Sequence, residues 1–160
     1  MMSMSIKQRV RSHELMDSPD ISESDLFDAL RDLERIHRWD FSYLFIYLGL
    51  RKSISGLISG KAKVKVLDMG GDLLFYLARK LNFSEGISLS GCDINEKSID
   101  FARKRAEREG AGVHFFTHDA LSDTLDKEYD VILSSLFIHH LSDEDIRKLV
   151  LQMVIMNVLI

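Results

Sequence analysis

Three aspartates at nearly regular spacing are the residues of this sequence best able to act together. Asp68, Asp93 and Asp119 each close a run of apolar and β-branched residues, and they stand 25 and 26 positions apart. A carboxylate only accepts hydrogen bonds, so an aspartate at a strand tip can take both hydroxyls of a ribose. Asp93 is placed for that, and an adenosine-type ligand fits the need. Asp119 can accept from the exocyclic amine of an adenine, and Asp68 can orient the following loop or meet an ammonium group. Taken singly, each reads equally well as a turn or cap residue, because aspartate favours turns. Three in one unit point to a joint role.

The other reactive side chains read more simply. His139 and His140 are adjacent, and neighbours in extended chain point to opposite faces, so the pair is expected to serve a loop and not a shared metal. His114 and His118 share a strand face but stand about 13 Å apart at ~3.3 Å per residue, too far for one ion. Cys92, inside an apolar run with no basic neighbour, reads as a small buried side chain. Arg103, Lys104, Arg105 and Arg108 look basic alone, yet Glu107 and Glu109 stand four places after Arg103 and Arg105, the pattern of a solvated, ion-paired helix face. No metal site and no Ser-His-Asp or Cys-His set can be assigned, and no side chain is singled out as catalytic.

The elements that must position these residues follow from periodicity. Leu26, Ala29, Leu30, Leu33 and Ile36 recur at helical steps behind a Ser22/Asp25 capping start, and an aromatic-rich helix covers about 41–58, its stripe expected to pack on the sheet. From Val64 the pattern alternates strand and helix, the mark of a parallel α/β sheet. Strands are expected at Val64–Asp68, Ile87–Asp93, Val113–His118 and Tyr129–Leu136. Helices are expected at Asp72–Leu81 behind Gly70-Gly71, at Asn95–Glu109 with an Asn cap and a Gly110 stop, and after Ser142.

Composition bounds the partners. The chain has 160 residues, with 21 basic against 25 acidic ones and a net charge of −4, which favours neither nucleic acid nor an anionic membrane surface. One cysteine excludes an internal disulfide and a cysteine-based zinc cluster and suits a reducing compartment, so a cytoplasmic location is expected. Met1–Asp17 carries basic residues without an apolar run, and no secretory leader is drawn there. The only proline, Pro19, sits in a turn-like Asp17-Ser18-Pro19-Asp20. Phe41–Leu50 and the nearly all-apolar Leu149–Ile160 fall short of the ~20 apolar residues of a spanning helix.

The runs Val66-Leu67-Asp68-Met69-Gly70-Gly71-Asp72, Gly91-Cys92-Asp93-Ile94-Asn95, His118-Asp119-Ala120 and Tyr129-Asp130-Val131-Ile132 through Phe137-Ile138-His139-His140-Leu141 resemble, in order, the motifs of class I S-adenosylmethionine-dependent methyltransferases. The likeness covers about Val64–Leu149. The lead-in Glu14–Asp17 through Leu33–Ile36 is similar to the helical cap of bacterial small-molecule members. The resemblance implies a Rossmann-like, mostly parallel α/β sheet of about four strands, incomplete, with a helical cap over residues 1–60 and a core over 61–160. It implies S-adenosyl-L-methionine as cofactor and a small-molecule acceptor. Asp68, Gly70 and Gly71 would form the glycine-rich turn by the methionine part, Asp93 would hold the ribose, Ile94 would flank the adenine, and Asp119 with Ala120 would meet its edge and ring.

Two departures qualify this. The family's turn reads approximately Asp-x-Gly-x-Gly-x-Gly, and here about three residues are missing. Glycines serve there because the backbone must turn tightly and approach the ligand, so the shortened turn is expected to narrow the site and weaken cofactor binding. The chain also stops at Ile160, before the family's fifth parallel strand and antiparallel pair. A truncated member is therefore expected, with an open sheet edge along Val131-Ile132-Leu133 that favours self-association. Three functions stay open: methyl transfer, an inactive remnant or interaction module, and an NAD-dependent oxidoreductase. The last is disfavoured by the absence of Gly-x-Gly-x-x-Gly.

Overall fold

The computed structural model describes residues 20–58, 62–71, 73–81, 86–125, 129–134 and 137–155. The expectations for Met1–Asp17 and Pro19, for a helix start at Asp72, for strand residues Ser135 and Leu136, and for the last five residues, 156–160, lie outside them.

Two helices lead. Helix α1 spans Glu23–Trp39 and α2 spans Ser42–Ile58. Ser22 caps α1 by accepting from the Asp25 N–H at 3.1 Å, satisfying one of the donors that a helix start leaves open. In α2, Tyr43, Leu50 and Ile54 recur at helical spacing and are buried. The expected core stripe divides here: Tyr43 and Tyr47 turn inward onto Tyr76, whereas Phe41 and Phe45 face solvent. Odd-numbered aromatics do not share one face of a helix with 3.6 residues per turn, and the inward stripe selects only some of them.

The rest alternates as expected: β1 (Val64–Met69), α3 (Leu74–Lys80), β2 (Ile87–Asp93), α4 (Glu96–Glu109), β3 (Val113–Thr117), β4 (Val131–Leu133) and α5 (Asp143–Ile155). All strands pair in parallel, in the order β3-β2-β1-β4. This is the parallel α/β sheet that the sequence pattern implied and the Rossmann-like arrangement with a helical cap that the resemblance implied. Asn95 caps α4 through the Lys97 N–H, and Gly110 stops it in the left-handed conformation at φ 62°. β4 is shorter than expected and starts two residues later, at Val131, after Asp130 has turned its carboxylate onto the Lys65 N–H at 2.8 Å.

The sheet has two faces. Val64, Val66, Leu89, Phe115 and Val131 pack under α2, α3 and α4, while Leu67, Met69, Cys92 and Ile132 pack with Ala120, Tyr129 and Leu141 under Leu149 and Met153 of α5. The odd-even alternation of a strand separates these sets. No helix among the described residues is long and apolar enough to cross a membrane.

Candidate functional site

Register decides where the three aspartates stand. Asp68 of β1 pairs with Gly91 of β2, two residues before Asp93, and Asp93 pairs with Thr117 of β3, two residues before Asp119. Paired residues of parallel strands share a face and so do residues two apart, which puts Asp68 and Asp93 on the α3/α4 face. Asp93 therefore stands two residues, roughly 6.6 Å, further along the strand direction than Asp68, and Asp119 follows two residues after the end of β3.

All three carboxylates hold local backbone. Asp68 is fully buried and accepts from the Leu73 N–H at 3.2 Å, closing the turn into α3. Asp93 accepts from the Asn95 N–H at 2.7 Å. Asp119 accepts from the Leu121 N–H at 2.9 Å and the Ser122 hydroxyl at 2.7 Å, and these bonds hold its pKa below the ordinary carboxylate value.

Between β1 and α3, Gly70 and Gly71 take φ values of 91° and 66°, a region that only glycine enters at no steric cost. Gly70 donates to the Cys92 carbonyl at 2.8 Å, which ties the turn to β2. A cavity of about 60 Å³ lies against this turn and is lined by Gly70, Gly71 and Asp93 together with Phe75, Arg105 and Phe115. Leu30 and Glu34 of α1 close it from above.

The structure thus brings Gly70, Gly71 and Asp93 to one cavity, with Asp68 bracing the turn beneath. Ile94 is exposed just beyond Asp93, and Ala120 is buried in the α5-side cluster. Neither Asp119 nor Ala120 lines the cavity. A larger opening of about 610 Å³ on the α5 side of β3, lined by His114, Phe116, His118, Asp123 and Tyr129 among others, contains none of the expected site residues.

Arg105 corrects the sequence reading of α4. It does not lie on a solvated face. Its guanidinium makes a bidentate pair with Glu34 at 2.8 and 3.0 Å, donates to Glu109 at 2.8 Å and sits 4.0 Å above the Phe75 ring. Burial disfavours its charge, but the two carboxylates outweigh burial and raise its pKa. The i,i+4 spacing from Arg105 to Glu109 reveals one of these pairs. The partner on α1, 71 residues away, leaves no local trace. Arg103 likewise turns to Asp100 and to the Phe115 carbonyl.

His139 and His140 are a second correction. The chain there is a single 3-10 turn, Ile138–His140, not extended, and the two imidazoles lie 4.0 Å apart between ring centres. Cys92 is buried as expected, and burial, then Asp68 and Asp93, push its thiol up to about 12.

A nucleoside cofactor suits the donor set here: a glycine turn that lets backbone approach closely, beside an acid at the tip of β2. The cavity is small beside the roughly 300–1,000 Å³ of sites for such ligands.

Parallel sheet, cap and glycine turn together define the class I S-adenosylmethionine-dependent methyltransferase fold. The profile of a methyltransferase domain family matches residues 66–156, more than half of the chain, and the chain belongs to that family. A ribosomal protein L11 methyltransferase of Dictyoglomus turgidum is 36% identical over 78 residues, which are 48% of this chain and 25% of that protein. A structure solved in work on the conversion of a disulfide bond into a thioacetal group during echinomycin biosynthesis is 28% identical with a TM-score of 0.52, over 68% of this chain and 42% of that one. A Methanococcus maripaludis protein put forward as an S-adenosyl-L-methionine-dependent methyltransferase is 14% identical with a TM-score of 0.56, over 82% of this chain and 58% of that one, and shows the shared fold. The chain therefore spans a quarter of the curated relative and under half of the first of these structures.

Proposed function

We propose that the chain binds S-adenosyl-L-methionine at the Gly70-Gly71 turn and serves methyl transfer to a small-molecule acceptor. One observation carries this: the two positive-φ glycines and Asp93, from different strands, line the same cavity. In this reading Asp93 accepts from the ribose hydroxyls while one of its oxygens stays with the Asn95 N–H. Asp68 holds the turn, Ile94 flanks the adenine, and Asp119 with Ala120 serves its outer edge. Residues 1–60 act as a cap on a core formed by 61–160. When bound, the cofactor supplies a sulfonium methyl that passes in line to an oxygen, nitrogen or carbon of the acceptor. The chain's part is to hold and align the reacting groups, and it needs no nucleophile of its own.

Thermal unfolding with S-adenosylmethionine, S-adenosylhomocysteine and NAD in parallel tests the proposal. A ligand that binds only the folded state stabilises by about 2.7 kcal/mol at a hundred times its dissociation constant. Both sulfur nucleosides are expected to raise the midpoint, and Asp93→Asn to remove most of that rise. Stabilisation by NAD alone would assign the site to a nicotinamide cofactor. No response to any of the three would favour the interaction-module reading, which rests on the small cavity and on β4 ending the described sheet.

A further inference from the structure

We propose that the opening on the α5 side of β3 is a second small-molecule site, built to take a flat aromatic ring that carries a hydroxyl group. It is separate from the glycine turn and does not rest on the functional reading above. Neighbours on a strand point to opposite faces: Phe115 lines the small cavity beside Gly71, and Phe116 lines this opening. At about 610 Å³ the opening falls within the roughly 300–1,000 Å³ of small-molecule sites.

Its wall combines a row of rings with a few polar groups. His114, Phe116 and His118 stand two apart along β3 and the residue beyond it, so they share a face. The ring centres lie 5.7 Å apart from His114 to Phe116 and 5.9 Å apart from Phe116 to His118, the second pair edge to face. Phe116 packs against the α5-side core, which holds the middle of the row in place. Aromatic rings attract one another at centre separations of about 4.5–7 Å, offset or edge to face, so a further flat ring can join such a row.

Tyr129 indicates what that ring must carry. Its side chain lines the opening and is only 5% exposed. Its hydroxyl nevertheless makes no hydrogen bond of ordinary geometry among the described residues, although Ser90 stands close by. A buried polar group without a partner costs free energy, and a ligand hydroxyl that accepts from it recovers the loss. On the same wall His118 lies 3.8 Å from Oδ2 of Asp123, which also accepts the Asp119 N–H at 2.7 Å. A carboxylate only accepts, so it can receive a ligand O–H and it repels an anion. A phenolic hydroxyl meets both needs, since it donates and accepts. No three His, Cys, Asp or Glu side chains among the described residues are arranged to hold a metal ion, which leaves the two imidazoles to the ring.

Fluorescence titration of the full chain with 2-naphthol, and with naphthalene as the same ring without the hydroxyl, tests this. Saturable binding of 2-naphthol is expected, tighter than that of naphthalene. Tyr129→Phe should weaken 2-naphthol about fivefold and leave naphthalene unchanged, because it removes only the hydroxyl. The variant should fold as stably as wild type, since that hydroxyl has no partner to lose. Phe116→Leu keeps an apolar side chain without a ring and should weaken both probes about fivefold. His114→Gln, at an exposed position, shortens the same row if that variant folds poorly. Absence of saturable 2-naphthol binding overturns the site, and so does binding that no variant changes. Equal weakening of both probes by Tyr129→Phe overturns the hydroxyl requirement. Binding that saturating S-adenosylhomocysteine abolishes and no variant affects would place the ring in the glycine-turn cavity instead. A chain that takes 2-naphthol as described but ignores S-adenosylhomocysteine would keep this site while the functional reading fails.

Discussion

Gly91 and Cys92 are neighbours on β2 and face opposite sides of the sheet, and the two surroundings differ in kind. Gly91 points at the α3/α4 side, where a side chain would begin 2.8 Å from Phe115 and closer still to Leu74. Cys92 points at the α5 side, where a thiol fits among Leu67, Met69 and Ile132. One side of the strand is filled to the backbone beside the glycine turn, and the other accommodates a side chain. The candidate cavity therefore lies on the side where the backbone gives up its side chains, and the α5 side packs a core cluster around Cys92.

The sharpest way to break the comparison is Gly91→Val. Its Cβ falls inside the contact distances of Leu74 and Phe115, both buried, so these side chains or the strand itself must shift to admit it. Overpacking a filled core costs roughly 1–3 kcal/mol and occasionally more, and two branches at this position belong to the upper end. Urea unfolding should show a loss of more than about 3 kcal/mol or no cooperative transition at all. Cys92→Val, one residue away, should cost roughly 1 kcal/mol. Equal losses from the two variants would remove the distinction between the faces.

Much of this contrast was legible in the sequence. Alternating apolar runs and their caps located the strands and helices, because a half-buried strand and an amphipathic helix each impose a period on the residues they bury. The Gly70-Gly71 turn and the acid at the tip of β2 stood out for the same local reason: their roles depend on backbone shape and strand ends. What could not be read depends on partners distant in sequence. Arg105 carries a charge pattern typical of solvent, and only the packing of α1 against α4 makes it internal. His139 and His140 fall in the loop that their sequence suggests, but neighbouring side chains point apart only in extended chain, and a single tight turn brings their rings together. Asp119 reads the same from sequence whether it meets a ligand or caps its own turn, since both uses need an acceptor at a strand end.

A second test concerns the chemistry of the α5 side. Burial, then the nearby carboxylates of Asp68 and Asp93, push the Cys92 thiol up to about 12 from 9.0. Only the thiolate is nucleophilic, so at pH 9 its fraction in the folded chain is about a thousandth. Alkylation by iodoacetamide should run roughly a thousandfold slower in the native chain than in urea. The same shift has a stability consequence of fixed sign. The unfolded thiol ionises first as pH rises past 9.0, so the native state loses stability between there and about 12, by up to ~1.4 kcal/mol per pH unit. The Tyr129 phenol, raised mainly by burial, adds to the same alkaline limb, and Cys92→Ala isolates the cysteine's share. A native thiol that reacts as fast as the unfolded one would mean that this side is open.

The smallest effect is expected at Asp119, where the acid limb can be separated from the hydrogen bonds. The backbone N–H of Leu121 and the Ser122 hydroxyl hold its carboxyl below 3.8. A depressed carboxylate contributes stability that is present above the unfolded value and lost as pH falls through the folded one, so the loss lies below about pH 4. Asp119→Asn keeps an acceptor for the Leu121 N–H while removing the charge. The variant should therefore match wild type to within about 0.5 kcal/mol at neutral pH, because the group is partly exposed and solvent screens it. Its acid unfolding should be less steep at the low-pH end, since one proton fewer is taken up on unfolding there. A large neutral-pH loss would instead make Asp119 a structural keystone of the turn after β3 and count against its proposed role at an adenine edge.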